Sequence, residues 1–143
     1  MDRRKVLKMT ALATLGAVVS ANAQTMSIEQ MNRLDMKPKD PKNMTEAELK
    51  HSPEILIKDK DAKGYTLVEI SVGQKGIIHP STPEHWIDFI SLHADDKLVA
   101  KSTLEAEISR GATAFRVKLD NVKILTAKAG CNLHGIWSTN ISL

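Results

Sequence analysis

The chain has a single cysteine, Cys131, and it stands just ahead of a histidine in the run Cys131-Asn132-Leu133-His134-Gly135. Two more histidines, His79 and His85, share a stretch stiffened by Pro80 and Pro83, and His51 follows Lys50 further upstream. One thiolate with four imidazoles is a mixed donor set that suits a redox-active transition metal better than a closed tetrahedral zinc site. A lone cysteine is often only a small buried apolar residue. A thiol with no disulfide partner that is followed closely by histidine and glycine reads instead as a metal ligand. The fifth histidine, His93, lies at a strand end outside these groups and reads as ordinary surface or packing.

Something must bring these dispersed donors together, and the pattern after Pro53 predicts strands. Val68, Ile70 and Val72 alternate with Glu69 and Ser71, and Phe115, Val117 and Leu119 alternate with Arg116 and Lys118. That period belongs to strands with one buried face. Runs of this kind cover 55–58, 65–72, 86–93, 98–108, 113–119, 122–127 and 136–142, with turn residues at Lys63-Gly64, Gly73, Asp95-Asp96, Arg110-Gly111 and Asp120-Asn121. About seven short strands predict an all-β, immunoglobulin-like antiparallel β-sandwich. His79 and His85 then fall in one inter-strand loop and Cys131 and His134 in another, where Gly130 and Gly135 permit a tight path. Loops at one end of a sandwich lie close in space.

The front of the chain is of a different kind. Residues 1–23 have a basic start (Arg3, Arg4, Lys5, Lys8), an apolar run from Met9 to Val19 and the cleavage signal Ala21-Asn22-Ala23, the pattern of a signal peptide. Arg3-Arg4 with Leu7 and Lys8 resembles a twin-arginine export signal, although Asp2 and Val6 depart from its preferred residues, and periplasmic localisation is the expectation. The apolar run is shorter than the roughly 20 residues of a membrane span. Residues 24–47 read as a linker or partly ordered arm, with a short helix around Ser27 to Leu34, and 48–143 as the folded domain. Thr45-Glu46-Ala47-Glu48 is a capping-box pattern that predicts a helical turn ending before Pro53.

The excess of basic residues belongs mostly to that front segment; without it acidic and basic residues balance. Lys and Arg are scattered among Asp and Glu, and only two Trp, two Phe and one Tyr are available to stack on bases, so no nucleic-acid partner is expected. No stretch after residue 24 is long and apolar enough to span a membrane, so none is expected in the mature form.

Taken together, Lys50-His51, His79-Pro80…His85-Trp86 and Cys131-Asn132-Leu133-His134-Gly135 resemble the superoxide reductase family, the iron-site domain of neelaredoxin and desulfoferrodoxin. The resemblance covers about residues 48–143. It implies one non-haem iron ion, with His51, His79, His85 and His134 as roughly equatorial ligands, Cys131 as the axial sulfur and the sixth position open to substrate. It implies reduction of superoxide to hydrogen peroxide, with Lys50 attracting the anion. It further implies an external one-electron donor protein, rubredoxin-like in this family, and allows a homo-oligomer. Leu49 stands where many members carry a glutamate, and Glu48, one position off, is not assigned as a ligand. Backbone N–H groups of Leu133 and His134 are expected to tune the thiolate, and Trp86 and Trp137 to serve as core anchors or an apolar wall. With one cysteine, the chain has no four-cysteine iron domain.

Two rival readings come from other classes. A blue-copper electron carrier would use Cys131 and His134 but normally adds a weak axial Met after the final His, and none follows here. A single-cysteine sulfur carrier would need a mobile, reactive thiol, whereas Cys131 precedes a predicted final strand.

Overall fold

The computed structural model describes residues 34–143. The expected signal segment lies outside the described residues, as does the expected helix around 27–34 apart from Leu34. In chain order the elements are β1 (Asp35–Met36), α1 (Glu46–His51), β2 (Pro53–Lys60), β3 (Thr66–Val72), β4 (Ile87–Ala94), β5 (Lys97–Thr103), β6 (Ala112–Val117), β7 (Ile124–Cys131) and β8 (Gly135–Ser142).

They form two sheets, one ordered β1-β8-β7-β4-β5 and the other β2-β3-β6. The alternation along β3 does what the sequence predicts: Val68, Ile70 and Val72 are buried while Leu67, Glu69 and Ser71 are half-buried. They share one core with Ile90 and Leu92 of β4 and Leu125, Ala127, Ala129 and Cys131 of β7. Cys131 is therefore both the last residue of a core strand and a core side chain at 0 % exposure. The all-β, two-sheet architecture agrees with the sequence reading; among the described residues the count is eight strands, because β1 adds to the edge of β8 in parallel, with Met36 opposite Trp137.

Two strands end earlier than expected: the run 113–119 stops at Val117, and the larger difference is in β5. The run 98–108 ends at Thr103, where Leu104 N–H donates to Asp88 O at 2.9 Å and the chain turns, with Glu107 at φ +67° and Ser109 N–H closing onto Glu105 O. Ser81 fixes that turn from outside, its hydroxyl donating to Ser109 O at 2.8 Å and accepting from Glu107 N–H at 2.9 Å. A tertiary partner thus overrides the apolar alternation, leaving Ile108 85 % exposed. In contrast, β7 runs past the expected 127 to Cys131, because each of its later residues finds a partner on β4 or β8.

Candidate metal centre

Three segments deliver the donors to one end of the two sheets. The first is α1. Thr45 caps it: its hydroxyl accepts from Glu48 N–H at 3.2 Å, and the Glu48 carboxylate accepts from Thr45 N–H at 2.9 Å. The other carboxylate oxygen of Glu48 accepts from Lys39 N–H at 3.1 Å, so Glu48 serves the backbone on both oxygens, and these amide bonds hold its pKa below the ordinary value. Leu49 enters the core at 8 % exposure. The last turn then presents Lys50 and His51.

The second segment joins β3 to β4. Gly73 starts it at φ +101°, and a Cβ there would sit 2.1 Å from Ile77 O, so only glycine allows the tight path that precedes His79. A turn closed by backbone bonds between Thr82 and His85 of 3.0 and 3.1 Å sets His85. The third is the end of β7 and the turn to β8, with Cys131 as the last strand residue and His134 in the turn, closed by Gly135 at φ +89°.

The donor atoms converge. His51 Nε2 lies 3.2 Å from His134 Nδ1, His134 Nδ1 3.2 Å from His85 Nε2, His85 Nε2 3.2 Å from Cys131 Sγ, and Cys131 Sγ 3.5 Å from His134 Nδ1. These four residues offer donor atoms that all lie within 4.8 Å of one another. The His79 ring stands edge-on to His51 and His85, with centroids 4.8 and 4.5 Å away. Ligands about 2.1 Å from one ion and at right angles to each other are separated by about 3 Å, close to the spacings seen here.

The tautomers agree with that use. A carbonyl can only accept, so Nδ1 carries the proton in His51, which donates to Ala47 O at 2.7 Å, and in His79, which donates to Pro80 O at 2.8 Å. The Nε2 lone pairs are thereby turned inward. His79 Nε2 is fully buried and has no hydrogen-bond partner. An orphaned buried acceptor costs about 1–3 kcal/mol, and a cation is the partner that this position lacks. The residues present therefore fit a non-haem iron: His51 and His85 offer Nε2, His134 offers Nδ1 and Cys131 the sulfur, while His79 stands beside this group of donor atoms and outside it.

Burial favours the neutral form of His51, His79 and His85. It pushes the pKa of His79 down to about 3, against the Pro80 carbonyl bond that favours the charged form. Burial also lowers His51 and His85, and the neighbouring His134 and Lys50 add to this. Burial raises the Cys131 thiol, while backbone N–H groups of Leu133 and His134 pull the other way, as the sequence reading expects of them. A neutral imidazole is the ligand form, so little proton release is needed on the nitrogen side.

The open side of the cluster is a cleft of about 460 Å³ lined by Leu34, Met36, Ala47, Lys50, His51, His85, His134 and Trp137. Of the residues that the sequence singled out, Lys50, His51, His85 and His134 line the cleft and Cys131 belongs to the same donor group, whereas His79 is outside that group with its ring against His51 and His85; His93 is apart from it, at hydrogen-bond distance (3.2 Å) from the Ser91 hydroxyl.

Asn132 has a positioning role that the sequence reading missed, and Trp137, expected as a core anchor or an apolar wall, lines the cleft and positions donors as well. Asn132 clamps the second and third segments: its Oδ1 accepts from Trp86 N–H at 2.8 Å, its Nδ2 donates to Glu84 O at 2.8 Å, and its N–H donates to Trp86 O at 3.2 Å. Trp137 stacks on His51 with centroids 5.3 Å apart and donates from Nε1 to His134 O at 3.0 Å, so it holds two donors at once. Trp86 anchors elsewhere, through Nε1 to Leu104 O at 3.1 Å. A polar residue directly after the cysteine was the available signal for Asn132.

Fold and site together define a class, the all-β metalloprotein with one imidazole–thiolate centre at the loop end of two packed sheets. Residues 43–140 match the desulfoferrodoxin family model, and the chain belongs to that family. It is 36% identical over 96 residues to a desulfoferrodoxin of Clostridium acetobutylicum, a match that covers 66% of this chain and 65% of that protein. It is 35% identical over 85 residues to the superoxide reductase of Pyrococcus abyssi, covering 53% of this chain and 73% of the relative. Among solved structures, a superoxide reductase with one iron from Giardia intestinalis superposes with a TM-score of 0.57 at 28% identity, covering 66% of this chain and 98% of that one. A neelaredoxin variant from Archaeoglobus fulgidus in the reduced form gives 0.59 at 27% identity, over 71% and 94%.

Proposed function

We propose that this chain is a superoxide reductase, adding one electron and two protons to superoxide to give hydrogen peroxide without forming oxygen. The observation that carries the reading is the convergence of three imidazoles and one thiol, with the His79 ring beside them and its Nε2 buried and partnerless, at a cleft that carries Lys50. In this reading His51, His79, His85 and His134 are the nitrogen ligands and Cys131 the sulfur ligand of one non-haem iron. Bound iron(II) supplies the single electron that superoxide takes up.

The protein's part is to recruit and to hold. Lys50 stands in the cleft wall, and a cation there raises the local concentration of a small anion. Ala47 O and Pro80 O fix the tautomers of His51 and His79, so that both imidazoles stay neutral donors. The amides of Leu133 and His134 temper the charge on the Cys131 sulfur. An external one-electron donor protein must restore the electron after each turnover.

The alternatives fit less well. A blue-copper site has no use for His51, His79 and His85 together, and a carrier thiol cannot be a core side chain at 0 % exposure, as Cys131 is.

We infer from residues 1–23 that the chain is exported by the twin-arginine route and works in the periplasm, the route being suited to a protein that takes up its metal before crossing. The 48–143 domain carries the centre and the segment ahead of it serves as the arm. Replacing Arg3 and Arg4 by lysine should abolish export, and the periplasmic form should begin at Gln24; unchanged export or an uncleaved front end would defeat this reading.

The reaction is tested by the optical spectrum and metal content of anaerobically purified protein before and after a superoxide pulse. Near-stoichiometric iron, a new visible sulfur-to-iron band and peroxide without oxygen support it. Copper, no metal or oxygen evolution overturn it.

A further inference from the structure

The cleft at the donor group takes its lining from both ends of one stretch of chain: Leu34 and Met36 precede it, and Ala47, Lys50 and His51 follow it. At the front end, β1 is a strand of only 2 residues, held by its parallel pairing to β8 and by Ile136 N–H donating to Leu34 O at 2.8 Å. Inside the stretch, Lys42 N–H donates to Asp40 Oδ1 and Asn43 N–H to Asp40 O, both at 3.0 Å, which shapes the turn without tying it to either wall. The tie is the buried Glu48. Its carboxylate collects the amides at both ends of the 39–45 loop, Oε1 accepting from Lys39 N–H at 3.1 Å and Oε2 from Thr45 N–H at 2.9 Å. A capping box needs only the second of these bonds. The first joins α1 to the segment that carries Leu34 and Met36.

We propose that Glu48 is a positioning residue: it straps the 37–44 stretch to α1 and so sets how wide the cleft opens at the metal donors, admitting small anions and holding off larger reagents. This rests on the reading of the cleft as the approach to a metal. With both oxygens facing backbone amides, the carboxylate is committed to the strap and not to the metal. Hydrogen bonds to a charged acceptor are among the stronger ones a fold can lose. Without the Lys39 bond, the wall of Leu34 and Met36 is left to the short pairing of β1.

Two variants separate the strap from the cap. Lys39→Pro removes the donated N–H and leaves Glu48 to cap α1, whereas Thr45→Ala removes the capping hydroxyl and leaves the Lys39 bond. Hydrogen exchange of the 34–44 peptide should be at least about tenfold faster in Lys39→Pro and close to wild type in Thr45→Ala. Full-length protein loaded with iron(II) is then given bipyridine or the much bulkier sulfonated bathophenanthroline, and the rates of iron capture are compared. The bulky-to-small rate ratio should rise at least about threefold in Lys39→Pro and hold the wild-type value in Thr45→Ala. An unchanged ratio in Lys39→Pro overturns the proposal, and so does an equal rise in both variants, which would assign the effect to helix capping. Protein that holds no iron sinks the metal reading instead, and the exchange of the 34–44 peptide then judges the strap by itself: acceleration in Lys39→Pro supports it and wild-type exchange sinks it.

Discussion

His79 shows how much of the centre is decided by single side chains. Its folded pKa of about 3 stands far below the ordinary 6.5, so across that window the unfolded chain binds the additional proton. The stability that the metal-free protein gains from a neutral His79 is fully present above about pH 6.5 and is lost as pH falls toward 3. Thermal melts of the metal-free protein should therefore drop steadily below pH 6.5, and His79→Gln should flatten that slope; a wild-type curve level down to pH 4 would contradict the burial argument. Cys131→Ser exchanges a thiolate for a poor ligand inside the core. It should abolish the visible sulfur-to-iron band and most peroxide formation, and a spectrum unchanged by the substitution would remove Cys131 from the metal.

Between the residues and the fold stand three short connections, each tied down by polar bonds. Asn132 makes three of them across two segments, linking the turn of Cys131 and His134 to the loop of His85. Asn132→Ala should cost about 1–3 kcal/mol in denaturant unfolding and weaken iron retention at the same time. Stability loss with no change in iron affinity under chelator would show that the clamp serves the fold alone. α1 is the other device, since its capping box orients Leu49 inward and Lys50 and His51 toward the cleft on successive positions of one turn. The helix is only 6 residues long, too short to be stable by propensity, and it holds because its caps and Leu49 are engaged.

Across the whole molecule the charges from Gln24 to the end nearly cancel. Long-range attraction of an anion is therefore weak, and the local field of Lys50 must supply it. Lys50→Ala should slow the second-order reaction with superoxide by up to about tenfold while leaving iron bound, and should remove most of its dependence on ionic strength. A salt dependence that survives the substitution would place the steering charge elsewhere. At this scale the two sheets act as a scaffold whose inner faces carry no chemistry except at one corner, where Cys131 ends β7 and belongs to both core and centre.

The sequence by itself determined a great deal here, because its signals were local. Alternation along β3, the capping box at Thr45 and the turn glycines are each written within a few residues, and so are the donor motifs, whose residue types admit few chemistries. What only the tertiary structure decided are relations between distant segments. The end of β5 at Thr103 depends on Ser81 reaching the 105–109 turn, and the added strand β1 depends on the open edge of β8. Asn132 and Trp137 acquire their roles only when three loops meet. The inward-facing lone pair of His79 was equally invisible in the chain, since it arises from a carbonyl that fixes one nitrogen and a core that strips water from the other. Sequence periodicity specifies which face of an element is buried; the partner waiting there is fixed by packing.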